Sequence, residues 1–112
     1  MKATLPLVFL GVAALIIALS IPMIARMVPR NHWYGFRTPK TLSNDERWYE
    51  ANWFAGWALL AAGVLSGVCD VLIALLAEGL SDGAVATSSV LAILLPVLGA
   101  TGASLLYLRR IP

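Results

Sequence analysis

Residues 5–25 read LPLVFLGVAALIIALSIPMIA, twenty-one consecutive positions without a charge. A helix crosses the hydrocarbon core of a bilayer with about 20 apolar residues, so this one run places the chain in a membrane. Two further runs have the same character: residues 53–77, interrupted only by Asp70, and the uncharged residues 84–108. In hydrocarbon every backbone N–H and C=O must be satisfied within its own segment, which makes each run a helix. The expected fold is all-α, an integral membrane bundle of three transmembrane helices. Residues 1–112 form one membrane domain, with spans at about 5–25, 44–77 (including an interfacial start) and 84–108, and a polar loop at 26–43.

Composition supports the class. Hydrophobic residues make up 60% of the chain and charged residues 12%, and the mean hydropathy is +0.83, outside the range of soluble domains. The lone Cys69 excludes an internal disulfide and a cysteine-based metal site. The first span follows Lys2 and ends among small residues, as a signal peptide would. Its apolar run exceeds the roughly 7–15 residues of a signal-peptide core, so we expect it to be retained as a helix.

Charge sets the orientation. With three crossings, the first loop and the C-terminal end share one side, which carries Arg26, Arg30, Arg37, Lys40, Arg47, Arg109 and Arg110; the other side carries only Lys2. The positive-inside rule then puts residues 26–50 and the C-terminal end in the cytoplasm, with the N-terminus outside. Aromatic residues agree, since Trp33, Tyr34, Phe36, Trp48, Tyr49, Trp53, Phe54 and Trp57 cluster where chain and headgroups would meet.

The polar stretch between the first two spans reads NHWYGFRTPKTLSNDERW (31–48). Pro29 stops the first helix, and Pro22 is expected to bend its last turns. Gly35, between two aromatics, marks a positive φ or a close backbone approach. Thr38-Pro39 favours extended or turn geometry. Ser43-Asn-Asp-Glu46 fits a capping box with Ser43 as N-cap, so the second helix should start near Asn44. Trp48, Asn52, Gly56 and Leu59 fall near one face of it, and Asn52 can bond back to the loop. The planar fork of Arg37 suits carboxylates, backbone carbonyls or lipid phosphate. Interfacial anchoring explains the Arg and Trp content; the density of turn and capping residues exceeds what a connector needs and suits a specific site. Both readings stand on residue physics alone.

The pattern Asn31-x-x-x-Gly35-x-Arg37-Thr38-Pro39, followed by Thr41, Trp48, Asn52 and Gly56, resembles the signature of the SdpI family. These bacterial membrane proteins are named for an immunity protein against a secreted killing peptide. The resemblance covers residues 31–56 closely and the flanking helices by count. The immunity protein carries an additional membrane module, so these 112 residues look like a short, single-module form. Ala51-Asn52 also stands where many relatives have Thr-His. The resemblance implies a protein of the bacterial inner membrane that confers immunity to a peptide toxin or relays its presence by signalling, for instance by holding a cytoplasmic regulator at the membrane. It implies no catalytic residue and no cofactor.

Within the spans, Asp70 is a functional-site candidate by default. It is either buried, protonated or bonded to Ser66, Ser88 or Ser89, or it sits shallow enough to reach outer headgroups; its place toward the outer end favours the shallow reading. Gly63-x-x-x-Gly67 and Gly99-x-x-x-Ala103 allow close helix approach, one within the chain and the other toward a homo-oligomer or partner. Pro96 predicts a kink in the third helix. The lone His32 makes a metal site improbable, and without a nucleophile–base pair the chain is not expected to be an enzyme. Expected partners are the bilayer, anionic lipid headgroups, and another membrane protein, a peptide toxin or a cytoplasmic regulator, with no nucleic acid. An alternative role is an accessory or structural subunit of a larger membrane complex.

Overall fold

The computed structural model describes residues 2–112. Three helices, α1 (Thr4–Ile24), α2 (Asp45–Leu76) and α3 (Asp82–Leu108), form an elongated bundle of 51 × 23 × 19 Å. All three are long and apolar enough to span a membrane. At 1.5 Å per residue they are about 32, 48 and 40 Å long, so α2 outruns a hydrocarbon core of about 30 Å by several turns. Helix α2 is central and packs along both neighbours, while α1 and α3 meet over a shorter stretch.

The core is made of small residues. Ala13, Ala51, Ala55, Gly56, Ala62, Gly63, Ser66, Ala92 and Ala100 are buried, whereas Leu15, Leu19, Val64, Leu65, Leu75 and Leu95 point outward. This inversion follows from the solvent. Lipid tails are as apolar as leucine, so helices gain little by hiding leucine and more by bringing backbones close enough to pack. On α2, a Cβ at Gly56 would lie 2.9 Å from the Ile24 backbone nitrogen, and one at Gly63 would lie 2.7 Å from Ile17 Cγ1. Gly67 lies beside Leu10 and Ala13 with more room. Thus the Gly63–Gly67 face serves packing inside the chain. Gly99 has no neighbour within 4 Å of a built Cβ and borders an open groove between α2 and α3, with Ala58, Ala61 and Leu65 across it.

Helix ends depart from the sequence reading in two places. Asn44, not Ser43, caps α2, its Oδ1 accepting from the Arg47 N–H at 2.8 Å. Residues Thr41–Ser43 form a 3-10 turn, in which the Ser43 hydroxyl turns back to the Lys40 carbonyl. The N-cap is therefore displaced by one residue, and Arg47 at the third helical position cannot complete a reciprocal capping box. At the C-terminus of α1, Arg26 takes a positive φ of 58°. Its N–H bonds the Met23 carbonyl at 3.2 Å, and Met27 N–H reaches Pro22 O at 2.9 Å, a Schellman-type ending without glycine. Helix α1 runs on past Pro22, and α3 past Pro96. The α2–α3 connection is tight: a 3-10 turn at Ala77–Gly79, then Ser81 capping α3 through the Ala84 N–H at 3.1 Å. Helix α3 accordingly starts two residues before the expected 84.

Side-chain clamps close both ends. Lys40 Nζ donates to the Leu108 carbonyl at 2.7 Å and to Ile111 O, and Arg47 Nε donates to Pro112 O at 2.9 Å. The α1–α2 connection and the C-terminal end thus lie at one end of the bundle. At the other, Lys2 Nζ donates to Leu80 O at 2.6 Å.

Candidate functional site

Most polar residues of the 31–52 pattern bond to one another or to adjacent backbone. Asn31 makes a local turn: its Oδ1 accepts from Trp33 N–H at 2.9 Å and Tyr34 N–H at 2.7 Å, and its Nδ2 donates to Pro29 O at 2.8 Å. This turn feeds Gly35, which holds φ +108°. A Cβ there would sit 2.6 Å from Asn52 Oδ1 and 3.2 Å from the Trp48 ring. Glycine is required on both counts, conformation and space.

The space belongs to two residues of α2. Asn52 is 2% exposed. Its Oδ1 accepts from Phe36 N–H at 2.7 Å, while its Nδ2 donates to Phe36 O at 3.3 Å and Trp48 O at 3.0 Å. The amide thus satisfies both backbone groups of Phe36, as a strand partner would. One turn earlier, the buried Trp48 donates its indole N–H to Val28 O at 2.8 Å. Around it Met23, Val28 and Ala55 form a small core, with Tyr34, Phe36 and Leu42 packed against it.

Thr38 and Thr41 close the second half. Thr38 N–H donates to Thr41 Oγ1 at 2.8 Å, and Thr41 N–H donates to Thr38 Oγ1 at 3.1 Å. The Thr41 hydroxyl, fully buried, donates to Phe36 O at 2.9 Å. Pro39 fixes the turn between them and is exposed. Arg37 is also exposed, one guanidinium nitrogen donating to the His32 carbonyl. Of the three partners the sequence allowed Arg37, the structure provides a backbone carbonyl.

Two features face outward from this folded segment. The first is a polar and aromatic rim of His32, Trp33 and Arg37, in which Trp33 is 82% exposed. The second is a groove of about 290 Å³ between α1 and α3, lined by Leu19, Met23, Tyr34, Phe36, Leu59 and Ala100. Thr101 and Ser104 also border it, but their hydroxyls bond to carbonyls of their own helix, Val97 O at 2.9 Å and Ala100 O at 2.8 Å. The groove is therefore apolar and suits a hydrocarbon chain or an apolar side chain. Tyr34 forms its rim, with its hydroxyl donating to Leu19 O, and burial holds the phenol above its ordinary pKa.

Charge at this end is only partly balanced. Arg26 pairs with Glu50 at 3.6 Å and lies 5.5 Å from the Trp53 ring, and Arg30 pairs with Asp45 at 3.4 Å. Among the described residues, Arg37, Lys40, Arg47, Arg109 and Arg110 have no carboxylate partner. No group of three or more His, Cys, Asp or Glu able to hold a metal occurs among the described residues.

Three features escaped the sequence reading. Lys40 carried only a charge in the topology count, yet it ties the loop to the end of α3. The left-handed Arg26 has no glycine or asparagine to announce it. The groove depends on how far α1 and α3 separate, which no local pattern encodes. Gly56 was read as part of the motif face, but its contact with α1 was not, although Gly56, Gly63 and Asp70 recur every seven residues on one face of α2 and all three are buried. That burial departs from the shallow placement expected of Asp70, whose side chain is fully enclosed.

A model of the SdpI/YfhL protein family matches residues 27–108, from just past α1 to the last residue of α3. No curated protein and no solved structure matches the chain.

Proposed function

The chain belongs to the SdpI/YfhL family, and from that premise we propose that it protects a bacterial cell against a membrane-active peptide toxin, or signals the toxin's presence, through the segment between α1 and α2. One observation carries the reading. The buried motif residues Asn52, Thr41 and Trp48 and the turn-forming Asn31 and Gly35 fix one loop conformation, and that conformation presents Trp33 and Arg37 outward beside an apolar groove. A fixed aromatic–cationic rim next to an apolar slot suits an amphipathic peptide, or a regulator that senses one, because each binds through an apolar face flanked by charge. In this reading the protein is not an enzyme. The loop and C-terminal end face the cytoplasm, because seven of the eight basic residues lie on that side of the three crossings. The unpaired arginines rest on anionic headgroups of the bacterial inner membrane.

Expression in a peptide-sensitive bacterium tests the proposal. Wild-type protein should raise survival, and Trp33→Ala or Arg37→Ala at equal membrane abundance should remove most of that gain. Unchanged sensitivity with abundant wild-type protein would overturn it. A second reading, an accessory subunit of a larger membrane complex, draws on the open groove beside Gly99 on α3. Gentle-detergent purification followed by mass spectrometry separates the two. Recovery of a stoichiometric partner lost in Gly99→Leu favours the accessory role, and recovery of this chain with lipid alone counts against it.

A further inference from the structure

We infer that Ser66, Asp70 and Ser89 form a site inside the bundle for one monovalent cation, a proton or a sodium ion. All three side chains are 0% exposed. Both carboxylate oxygens of Asp70 and the hydroxyl oxygens of Ser66 and Ser89 lack any hydrogen-bond partner among the described residues. The two serines stand apart from others in the helices. Ser20, Ser88, Thr101 and Ser104 each donate to a carbonyl three or four residues earlier in their own helix, at 2.6–2.9 Å. Ser66 and Ser89 do not, so their oxygens remain available to a ligand.

Position sets Asp70 and Ser89 at a common depth, with Ser66 one turn further in. Ser66 and Asp70 are one helical turn apart on the buried face of α2. Asp70 lies six residues before the end of α2 and Ser89 seven residues after the start of α3. At 1.5 Å per residue both are therefore about 10 Å in from the tight connection. The α1 register runs Ile24 beside Gly56, Ile17 beside Gly63 and Leu10 beside Gly67, and continues toward the apolar residues around Pro6. No basic side chain occurs within α1 or α3 at this depth. The remaining titratable groups toward this end are Cys69 on α2, Glu78 in the connection, Asp82 at the start of α3, and Lys2, whose ammonium is held by Leu80 O.

A carboxylate enclosed in hydrocarbon without a counter-charge is unstable, so a positive charge must accompany Asp70. A donor set of one carboxylate and two hydroxyls, all oxygen, selects a hard cation, and a single negative charge balances a monovalent one. A bound proton neutralises Asp70 and leaves no net charge inside the bundle. A sodium ion is held by all three.

Dicyclohexylcarbodiimide, which adds across its C=N bond the O–H of carboxylic acids in apolar surroundings, reads this site in the full chain reconstituted in phosphatidylcholine vesicles. In sodium-free choline buffer at neutral pH, mass spectrometry should find Asp70 labelled well ahead of Glu78 and Asp82. If sodium is the ligand, adding NaCl suppresses labelling while choline chloride does not. If the proton is, NaCl has no effect and labelling falls only as pH rises. Ser66→Ala and Ser89→Ala should displace the pH midpoint or weaken sodium protection by about tenfold, the scale of losing one hydrogen bond to a charged group. Asp70 labelled no faster than Glu78 and Asp82 across roughly pH 6 to 9 in sodium-free buffer, where an ordinary carboxylate is ionised, overturns the site. Unaltered profiles in both serine variants would remove the hydroxyls from it.

Discussion

Replacing Gly35 by alanine tests whether the loop is one locked conformation. At φ +108° an L residue is strained by about 1–3 kcal/mol. The new methyl would also stand 2.6 Å from Asn52 Oδ1, too close to tolerate. Asn52 cannot swing away, because it is 2% exposed and its Nδ2 is held by the Trp48 carbonyl at 3.0 Å. Something must therefore break, and the nearest bond is Phe36 N–H to Asn52 Oδ1. Leaving that group unsatisfied adds about 1–3 kcal/mol. The two effects sum to about 2–6 kcal/mol, a large loss for one methyl group. Detergent-micelle unfolding by SDS, followed by tryptophan fluorescence, measures it, and far-UV circular dichroism should show the three helices retained. In an Asn52→Ala background the clash disappears, so Gly35→Ala should cost less there, by the hydrogen-bond share of about 1–3 kcal/mol. A loss below about 0.5 kcal/mol in the wild-type background, within the range of ordinary surface substitutions, would refute the locked loop. An equal loss in both backgrounds would refute the part assigned to Asn52.

Trp48→Phe keeps an aromatic ring, though a smaller one, and leaves the Val28 carbonyl without its 2.8 Å donor, so it should cost at least about 1–3 kcal/mol in the same unfolding assay. Arg26→Gly and Arg26→Ala both lose the Glu50 pair and the Trp53 contact, so their difference isolates the backbone. The glycine variant should be the more stable by about 1 kcal/mol, the cost of a left-handed L residue, and equal stabilities would refute the strain. For Tyr34, burial favours the neutral phenol in the folded state, so its contribution is complete below the ordinary phenol range. That contribution should be lost as pH rises through the raised folded value, and an SDS midpoint that falls equally in Tyr34→Phe would exclude this origin.

The three spans were determined by the sequence alone, because bilayer thickness and backbone hydrogen bonding leave a long uncharged run only one conformation. The roles of Gly35 and Asn52 were also legible, since a glycine between aromatics and an amide at the start of a helix have few other uses. Even there the local signal was good only to a residue: Ser43 and Asn44 are both competent caps, and the 3-10 turn locked by Thr38 and Thr41 decided between them.

Tertiary structure decided what depends on two helices at once. Gly63 and Gly99 look alike in sequence, yet Gly63 lies against Ile17 and Gly99 against nothing. The reason is that one helix has two possible partners and a glycine does not specify which. Asp70 could not be placed by counting residues from Trp53. Its burial follows from a heptad face shared with Gly56 and Gly63, and that face turns inward because α1 packs closely against it. A run of apolar residues fixes that a helix crosses the membrane. Which of its sides meets protein rather than lipid is fixed by the shapes of its neighbours.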